Sequence, residues 1–305
     1  MPWLQLKLDA TPDSAEHLSD LLSQAGASAV TLQDAYDQPL FEPPLGTTPL
    51  WSQTWVMGLF EADTNMESVM QQLTEAWGEQ ALPNWQLNPL EDKDWIKAWM
   101  DNFKPMQFGE RLWIIPGGYE APEPTAVNIH LDPGLAFGTG THPTTAMCLQ
   151  WLDAHPPTDK TVIDFGCGSG ILAIAAALLG ATKVWATDID HQALLASNDN
   201  AQRNNVMSRI DTFLPKALPE IQADVVLANI LAGPLTELAP LFAGLTSANG
   251  QLVLSGIIES QQQSIIAAYE NYFNIELYQT QSEAGQEAWI CLHGTRKARC
   301  CLRLE

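Results

Sequence analysis

Asp164-Phe165-Gly166-Cys167-Gly168-Ser169-Gly170 is the stretch of this chain in which residue type and spacing speak most directly of chemistry. Glycines at alternate positions let the main chain take conformations that a Cβ forbids and bring a ligand against bare backbone. The spacing excludes two familiar nucleotide sites. A dinucleotide fingerprint needs its third glycine after two intervening residues, where this chain has Ile171, and there is no Gly-Lys-Ser or Gly-Lys-Thr to make a phosphate-cradling loop. What remains is an acid ahead of three spaced glycines, followed by a second acid, Asp188, at the end of the next apolar run. A carboxylate at that place accepts bonds from two ribose hydroxyls.

These residues need a scaffold. Thr161 to Phe165 reads as a buried strand, and Ile171, Leu172, Ile174, Ala175 and Leu178 carry a helix that Gly180 can end. Lys183 to Thr187 is the next strand and His191 to Asn204 the next helix. Ile210 to Leu214 and Ala223 to Asn229 are further strands, the latter closing on Asn229-Ile230-Leu231. Ends of adjacent strands in a doubly wound sheet line one crevice, so Asp164, Asp188 and Asn229 are expected to share it. Helix 235–245, strand 251–255, helix 261–272 and strands 275–279 and 288–293 complete the set, and two closing strands without a helix between them predict an antiparallel hairpin at the sheet edge. The arrangement resembles the S-adenosylmethionine site of class I methyltransferases.

A second stretch belongs with the first. Residues 132–145 hold Gly134, Gly138 and Gly140 with Thr139, Thr141, Thr144 and Thr145, which makes a buried strand improbable. A glycine-rich loop feeding a helix from Thr144 would set backbone donors and hydroxyls over a ligand in the neighbouring crevice. Phe137 between glycines suits covering a ligand better than it suits solvent.

Upstream, Leu4, Leu6 and Leu8 alternate with polar residues as a half-buried strand, and Thr11-Pro12-Asp13 starts a helix with Ala15, Leu18, Leu21 and Leu22 at helical spacing. Strands at 29–32, 55–61 and 85–87 and a helix at 66–77 give the order βαββαβ, a ferredoxin-like α+β module over residues 1–90. Residues 91–105 read as a linker helix that opens with acids and stops before Pro105. Short strands are expected at 113–115 and 127–131. The catalytic domain is placed at 106–295, with 296–305 as a tail.

Composition narrows the function. The chain has 305 residues and an apolar fraction of 46%, enough for two cored domains. No apolar run is long enough for a membrane span and no signal-peptide core follows Met1, so a cytoplasmic location is expected. Five cysteines without a Cys-x-x-Cys pair read as reduced thiols, and six histidines show no metal-ligand spacing, so no metal is expected. The formal charge of −22 repels a phosphate backbone and favours a basic protein partner.

Gly134-x-x-Phe137-Gly138-Thr139-Gly140-x-His142-x-Thr144-Thr145, Asp164-x-Gly166-Cys167-Gly168-Ser169-Gly170-Ile171-Leu172, Asp188-Ile189-Asp190 and Asn229-Ile230-Leu231 together resemble the ribosomal protein methyltransferase A family. The resemblance covers nearly the whole chain. It implies a Rossmann-like seven-stranded sheet preceded by a small substrate-recognition domain. It further implies methyl transfer from S-adenosylmethionine to the N-terminal α-amine and lysine ε-amines of a basic large-subunit ribosomal protein, taken up free before assembly.

On that resemblance Gly166, Gly168 and Gly170 admit the methionyl part of the cofactor, Asp164 orders that end and Asp188 binds the ribose. Thr145 starts a helix near the cofactor, and Phe137, Gly138, Thr139 and Gly140 cover it. Asn229 belongs to the cofactor-binding set and is also the catalytic residue, accepting bonds from the attacking amine through its side-chain oxygen and the next carbonyl. Many amine methyltransferases carry Asn-Pro-Pro-aromatic here, whereas this chain has Asn-Ile-Leu-Ala, which counts against a planar base as substrate. Alternatives on the same fold are a nucleic-acid or small-molecule methyltransferase, disfavoured by charge and by the extra N-terminal module. A non-catalytic S-adenosylmethionine-binding protein is disfavoured by Asn229 and the glycine loop.

Overall fold

The computed structural model describes residues 3–36, 49–78, 81–90, 103–131, 140, 142–282 and 287–298. The chain divides into two compact units, Met1–Ala98 and Trp99–Glu305.

In the first unit, β1 (Trp3–Ala10), α1 (Pro12–Gln24), β2 (Ala29–Asp34), β3 (Thr54–Glu61), α2 (Met66–Trp77) and β4 (Trp85–Leu90) follow one another. The strands form one antiparallel sheet in the order β2-β3-β1-β4, as a ferredoxin-like module requires. The alternation in β1 buries Leu6, Leu8 and Ala10 on one face, where they meet Leu18 and Leu22 of α1 and Leu73 of α2. Both helix starts are capped: at the expected Thr11 start the Thr11 N–H donates to Ser14 Oγ at 2.9 Å, and Asn65 Oδ1 accepts Ser68 N–H at 3.2 Å. Strand β4 runs to Leu90, beyond the expected 85–87, because Leu4↔Pro89 and Trp3↔Leu90 continue its pairing with β1. An edge strand tolerates Pro89, whose missing N–H is not needed on the open side. Positions 91–102 of the expected linker helix lie outside the described residues.

The second unit opens with β5 (Met106–Phe108), β6 (Leu112–Ile115) and β7 (Val127–His130), a three-stranded sheet with one antiparallel and one parallel pairing. Then come α3 (Pro143–Ala154), β8 (Thr161–Phe165), α4 (Ile171–Leu178), β9 (Lys183–Thr187), α5 (His191–Arg203), β10 (Ile210–Phe213) and β11 (Ala223–Asn229). The unit ends with α6 (Ala232–Leu245), β12 (Thr246–Ile258), α7 (Gln262–Tyr269), β13 (Phe273–Gln281) and β14 (Trp289–Arg296). The seven-stranded sheet has the order β10-β9-β8-β11-β12-β14-β13. Its first five strands are parallel and β14 is inserted antiparallel between β12 and β13, so the closing hairpin sits at the edge.

Both faces are covered, which is why the central strands are apolar throughout. Val162, Val225 and Leu227 belong to one core with Met147, Ile174 and Ala201 of α3, α4 and α5. Ile163, Val226 and Ala228 belong to the other, with Leu235 and Phe242 of α6 and Tyr269 of α7. Helix α6 begins at Ala232, earlier than the expected Leu235, because Pro234 in a first turn gives up an N–H that has no helical partner. Strand β12 spans 246–258, well past the expected 251–255. Among the described residues no helix is long and apolar enough to cross a membrane, and no group of three or more His, Cys, Asp or Glu could hold a metal ion. Cys148, Cys167 and Cys291 are free and buried.

Candidate functional site

Parallel strands β8, β9 and β11 all end toward the same edge of the sheet, and the order in which successive strands are added reverses between β8 and β11. A doubly wound sheet opens a crevice at such a switch point. Here it is a cavity of about 520 Å³ lined by Thr145, Gly166, Gly168, Asp188 and Asn229 among others, within the range of small-molecule sites.

The turn after β8 is rigid by construction. Gly166, Gly168 and Gly170 have φ of 80°, 53° and 78°, the left-handed region that glycine enters without penalty. Gly166 and Cys167 donate their N–H groups to the Thr187 carbonyl at 2.7 and 3.0 Å. From α5, Ser197 Oγ donates to the Gly168 carbonyl at 2.9 Å and Asn200 Nδ2 to the Ser169 carbonyl at 2.9 Å. The buried polar face of α5 therefore holds the turn from behind. Nothing in the sequence distinguished Ser197 or Asn200 from other helix polars; only their burial does.

The three glycines do different work. A Cβ on Gly166 would collide with Ile230 Cγ2, and Gly166 and Gly168 both line the cavity. Gly170 does not line it: a Cβ there would come within 2.8 Å of Ser197 Oγ and 3.1 Å of Ser197 Cα. Gly170, expected beside the cofactor, packs instead against Ser197 of α5, away from the cavity lining.

Asp164 is placed differently as well. It is 1% exposed and lies beneath the turn, on the face of β8 shared with Val162 and α4. Its Oδ2 accepts Ala173 N–H at 3.0 Å, satisfying an N-terminal donor of α4 that the N-cap Gly170 has no side chain to reach. Its Oδ1 is buried and has no partner among the described residues. Burial raises the Asp164 carboxyl to about 7; the Ala173 N–H bond opposes the rise and the Asp188 charge adds to it. Asp164 thus lies below the floor of the cavity and not in its wall.

Asp188 follows β9 at the rim. Its Oδ2 accepts Gly168 N–H at 2.9 Å and its Oδ1 accepts Asp190 N–H at 3.0 Å. Each oxygen keeps a lone pair for a hydroxyl. Asn229, across the cavity, donates Nδ2–H to Thr145 Oγ1 at 3.1 Å, and no bond to its Oδ1 is found among the described residues. Thr145 is 1% exposed in the first turn of α3. The N-cap of that helix is His142, whose Nδ1 lies 2.7 Å from Thr144 Oγ1 and whose ring packs edge-on against Trp289 at 4.8 Å. Both His142 and Trp289 line the cavity. Gly140 packs against Ile114 and Ile171, where a Cβ would collide with Ile114 Cδ1. Phe137, Gly138 and Thr139 lie outside the described residues.

Sequence reasoning missed the apolar part of the lining, including Ile189, Pro215, Leu231 and Leu238, together with Gly256 and Trp289. Ile189 and Leu231 stand inside quoted motifs but were given no role there, and the others sit in no motif and are brought together only by the fold. Apolar walls, a rim carboxylate and an unpaired buried acid oxygen under the floor suit a ligand combining a flat ring, vicinal hydroxyls and positive charge. S-adenosylmethionine is such a ligand.

The sequence profile of the ribosomal protein L11 methyltransferase (PrmA) family matches residues 2–297. A ribosomal protein L11 methyltransferase of Marinobacter nauticus is 54% identical over 301 residues, covering 97% of this chain and 99% of the relative. Another, from Pseudomonas aeruginosa, is 54% identical over 299 residues, covering 98% and 100%. The crystal structure of a ribosomal protein L11 methylase from Lactobacillus delbrueckii subsp. bulgaricus superimposes with a TM-score of 0.57 at 33% identity, covering 64% of this chain and 100% of that one. The match spans both units of the chain, the cavity walls suit the donor, and the conclusion is the same from either side: this chain belongs to the ribosomal protein L11 methyltransferase family and is an S-adenosylmethionine-dependent methyltransferase.

Proposed function

We propose that the chain transfers methyl groups to amino groups of ribosomal protein L11, the N-terminal α-amine and lysine ε-amines, with Asn229 as the residue that receives the amine. The observation that carries this reading is the Asn229–Thr145 pair. An amide tied at its nitrogen by a buried hydroxyl leaves its oxygen for a donor entering the cavity. The oxygen accepts one N–H of the amine and the carbonyl after it accepts another, which turns the nitrogen lone pair inward.

S-adenosylmethionine supplies a methyl group on a sulfonium, already electrophilic, so the protein's work is placement and exclusion of water. Gly166 and Gly168 offer the backbone against which the methionyl end lies, Asp188 takes the ribose hydroxyls, and Asp164 supplies negative charge beneath. The amine must arrive neutral, since an ammonium has no lone pair and a free lysine has a pKa near 10.4. Apolar walls favour the neutral form by making the charged one costly to bury.

The substrate is held elsewhere on the chain. Residues 1–90 contain a single lysine or arginine, Lys7, against twelve acids, which makes the ferredoxin-like module a surface for a basic protein. L11 is taken up free in the cytoplasm, before ribosomal RNA neutralises its basic surface. A nucleic-acid substrate is disfavoured by the same charge.

The test is direct: purified L11, labelled S-adenosylmethionine and the enzyme, with the label located by peptide mass spectrometry. Label on amines, and its loss in Asn229→Ala with cofactor affinity retained, is the expected result. Label on RNA or on a non-amine side chain would overturn the reading.

A further inference from the structure

Strand β12 carries a break in its pairing with β14 between Leu254 and Ile257, and Gly256 sits inside it at a φ of +84°. One residue earlier, Ser255 pairs with Asn229 across β11–β12, so the irregularity falls beside the peptide that follows Asn229. A bulge here bends the strand toward its neighbour. The approach is close. A Cβ on Gly256 would collide with the Ile230 carbonyl oxygen and stand 2.8 Å from the Ile230 carbonyl carbon and 3.1 Å from its nitrogen. From the opposite side, a Cβ on Gly166 would collide with Ile230 Cγ2. Ile230 is thus gripped between two glycines, Gly256 inside β12 and Gly166 in the turn after β8, backbone against the first and side chain against the second. All three residues line the cavity.

We infer that Gly256 is a positioning residue for methyl transfer: the bulge at β12 presses bare backbone against the Ile230 peptide and so sets where Asn229 presents its acceptors to the amine. The inference rests on the reading of Asn229 as the amine-binding residue. Three contacts act on the two residues 229–230: Thr145 on the Asn229 amide, Gly166 on the Ile230 side chain and Gly256 on the Ile230 main chain. Asn229 is the last residue of β11, so no further ladder bond fixes the peptide beyond it. Its position is decided by what abuts it. The three atoms nearest a Cβ on Gly256 all belong to the Ile230 main chain, and none belongs to Asp188 or Gly168, which face the cofactor. A change at 256 therefore separates amine placement from cofactor binding.

The experiment compares Gly256→Ala, Asn229→Ala and the pair Gly166→Ala and Gly166→Ala/Ile230→Ala in the full-length enzyme. Cofactor affinity and stoichiometry are read by calorimetry, and kcat on L11 is expressed per bound cofactor. Displacing a reacting group by about 1 Å costs about 100-fold in rate, and Gly256→Ala is expected to lose kcat on that scale while binding the cofactor within about twofold of the parent, a change of about 0.4 kcal/mol. Ile230→Ala removes the atom that Gly166→Ala strikes, so the double variant is expected to recover kcat relative to Gly166→Ala. Full kcat per bound cofactor in Gly256→Ala, with Asn229→Ala inactive, would overturn the inference and leave the Asn229 reading standing. Full kcat in Asn229→Ala would overturn that reading itself. If Gly256→Ala does not fold, the Gly166 pair decides: unchanged kcat per bound cofactor in Gly166→Ala overturns the clamp, and loss reversed by Ile230→Ala upholds it.

Discussion

Asp164 is buried, carries one oxygen bonded to Ala173 N–H and one with no partner among the described residues, and its carboxyl is raised to about 7 from 3.8, chiefly by burial. The sign of two effects follows. Because the folded value lies above the unfolded one, the ligand-free fold holds the proton longer and loses stability as pH rises from 3.8 toward 7. A cationic donor prefers the carboxylate, so its affinity is reduced wherever a proton must first leave. Calorimetric affinity for S-adenosylmethionine is therefore expected to rise about tenfold per unit of pH below 7 and to level off above it. Asp164→Asn should flatten the profile and weaken binding at pH 8; a flat profile in the parent enzyme would contradict the assignment. The acid and the three glycines were legible in the sequence, but their division of labour was not. Spacing treats Gly166, Gly168 and Gly170 alike, whereas Ser197 on α5 decides that Gly170 is a packing position. In the same way an acid before a glycine turn reads as a ligand contact, yet Asp164 reaches the helix N-terminus because Gly170 brings no cap of its own.

Among the elements, the apolar runs of β8 and β11 and the apolar spacing of α4 announced themselves, and the hairpin of β13 and β14 followed from the missing helix. Elements that depend on partners did not. Strand β5 is three residues long and exists through its pairing with β6, and β12 gains length from β14 beyond its own apolar stretch. Helix α3 links the site to that hairpin: Thr145 bonds Asn229 near its start, while Trp151 and His155 near its end pack on His293 of β14 at 5.4 and 5.9 Å. His155 also meets Tyr278 of β13 edge-on at 5.9 Å, and its Nδ1 lies 3.1 Å from the Trp151 carbonyl oxygen. His293 Nε2 is buried and has no partner among the described residues. Burial lowers its pKa, the neighbouring His155 lowers it further, and Glu276 works against both. A folded value below the unfolded one means that the unfolded chain binds the proton first as pH falls. The contribution is complete above about 6.5, the ordinary histidine value, and is lost below it. Melting temperature should therefore fall between pH 6.5 and 5 more steeply in the parent than in His293→Phe, which fills the site and cannot be protonated. Parallel profiles would show that His293 titrates normally.

At the scale of the whole chain the charge of −22 is the property no single element explains. Half of it falls in residues 1–90, with twelve acids against one basic residue, and there Asp13, Glu16 and Asp20 line the exposed side of α1, spaced so that they share one face and repel each other. Such a stripe costs the isolated helix stability, and a basic partner offsets the cost by bringing opposite charge to it. Attraction of this kind acts over about 8 Å at 0.15 M salt and shortens as salt is added. It speeds encounter and does nothing for the transfer step, because the cavity is walled by apolar groups and lies in the other unit. Raising salt from about 0.05 to about 0.5 M, across which the screening length falls severalfold, should accordingly raise KM for L11 while kcat and the calorimetric affinity for the cofactor hold. The triple variant Asp13→Asn, Glu16→Gln, Asp20→Asn should begin with a higher KM and show a shallower dependence on salt. If the parent and the variant respond alike, the basic substrate is drawn to another part of the chain, and the acidic face of α1 serves only to keep the protein dispersed.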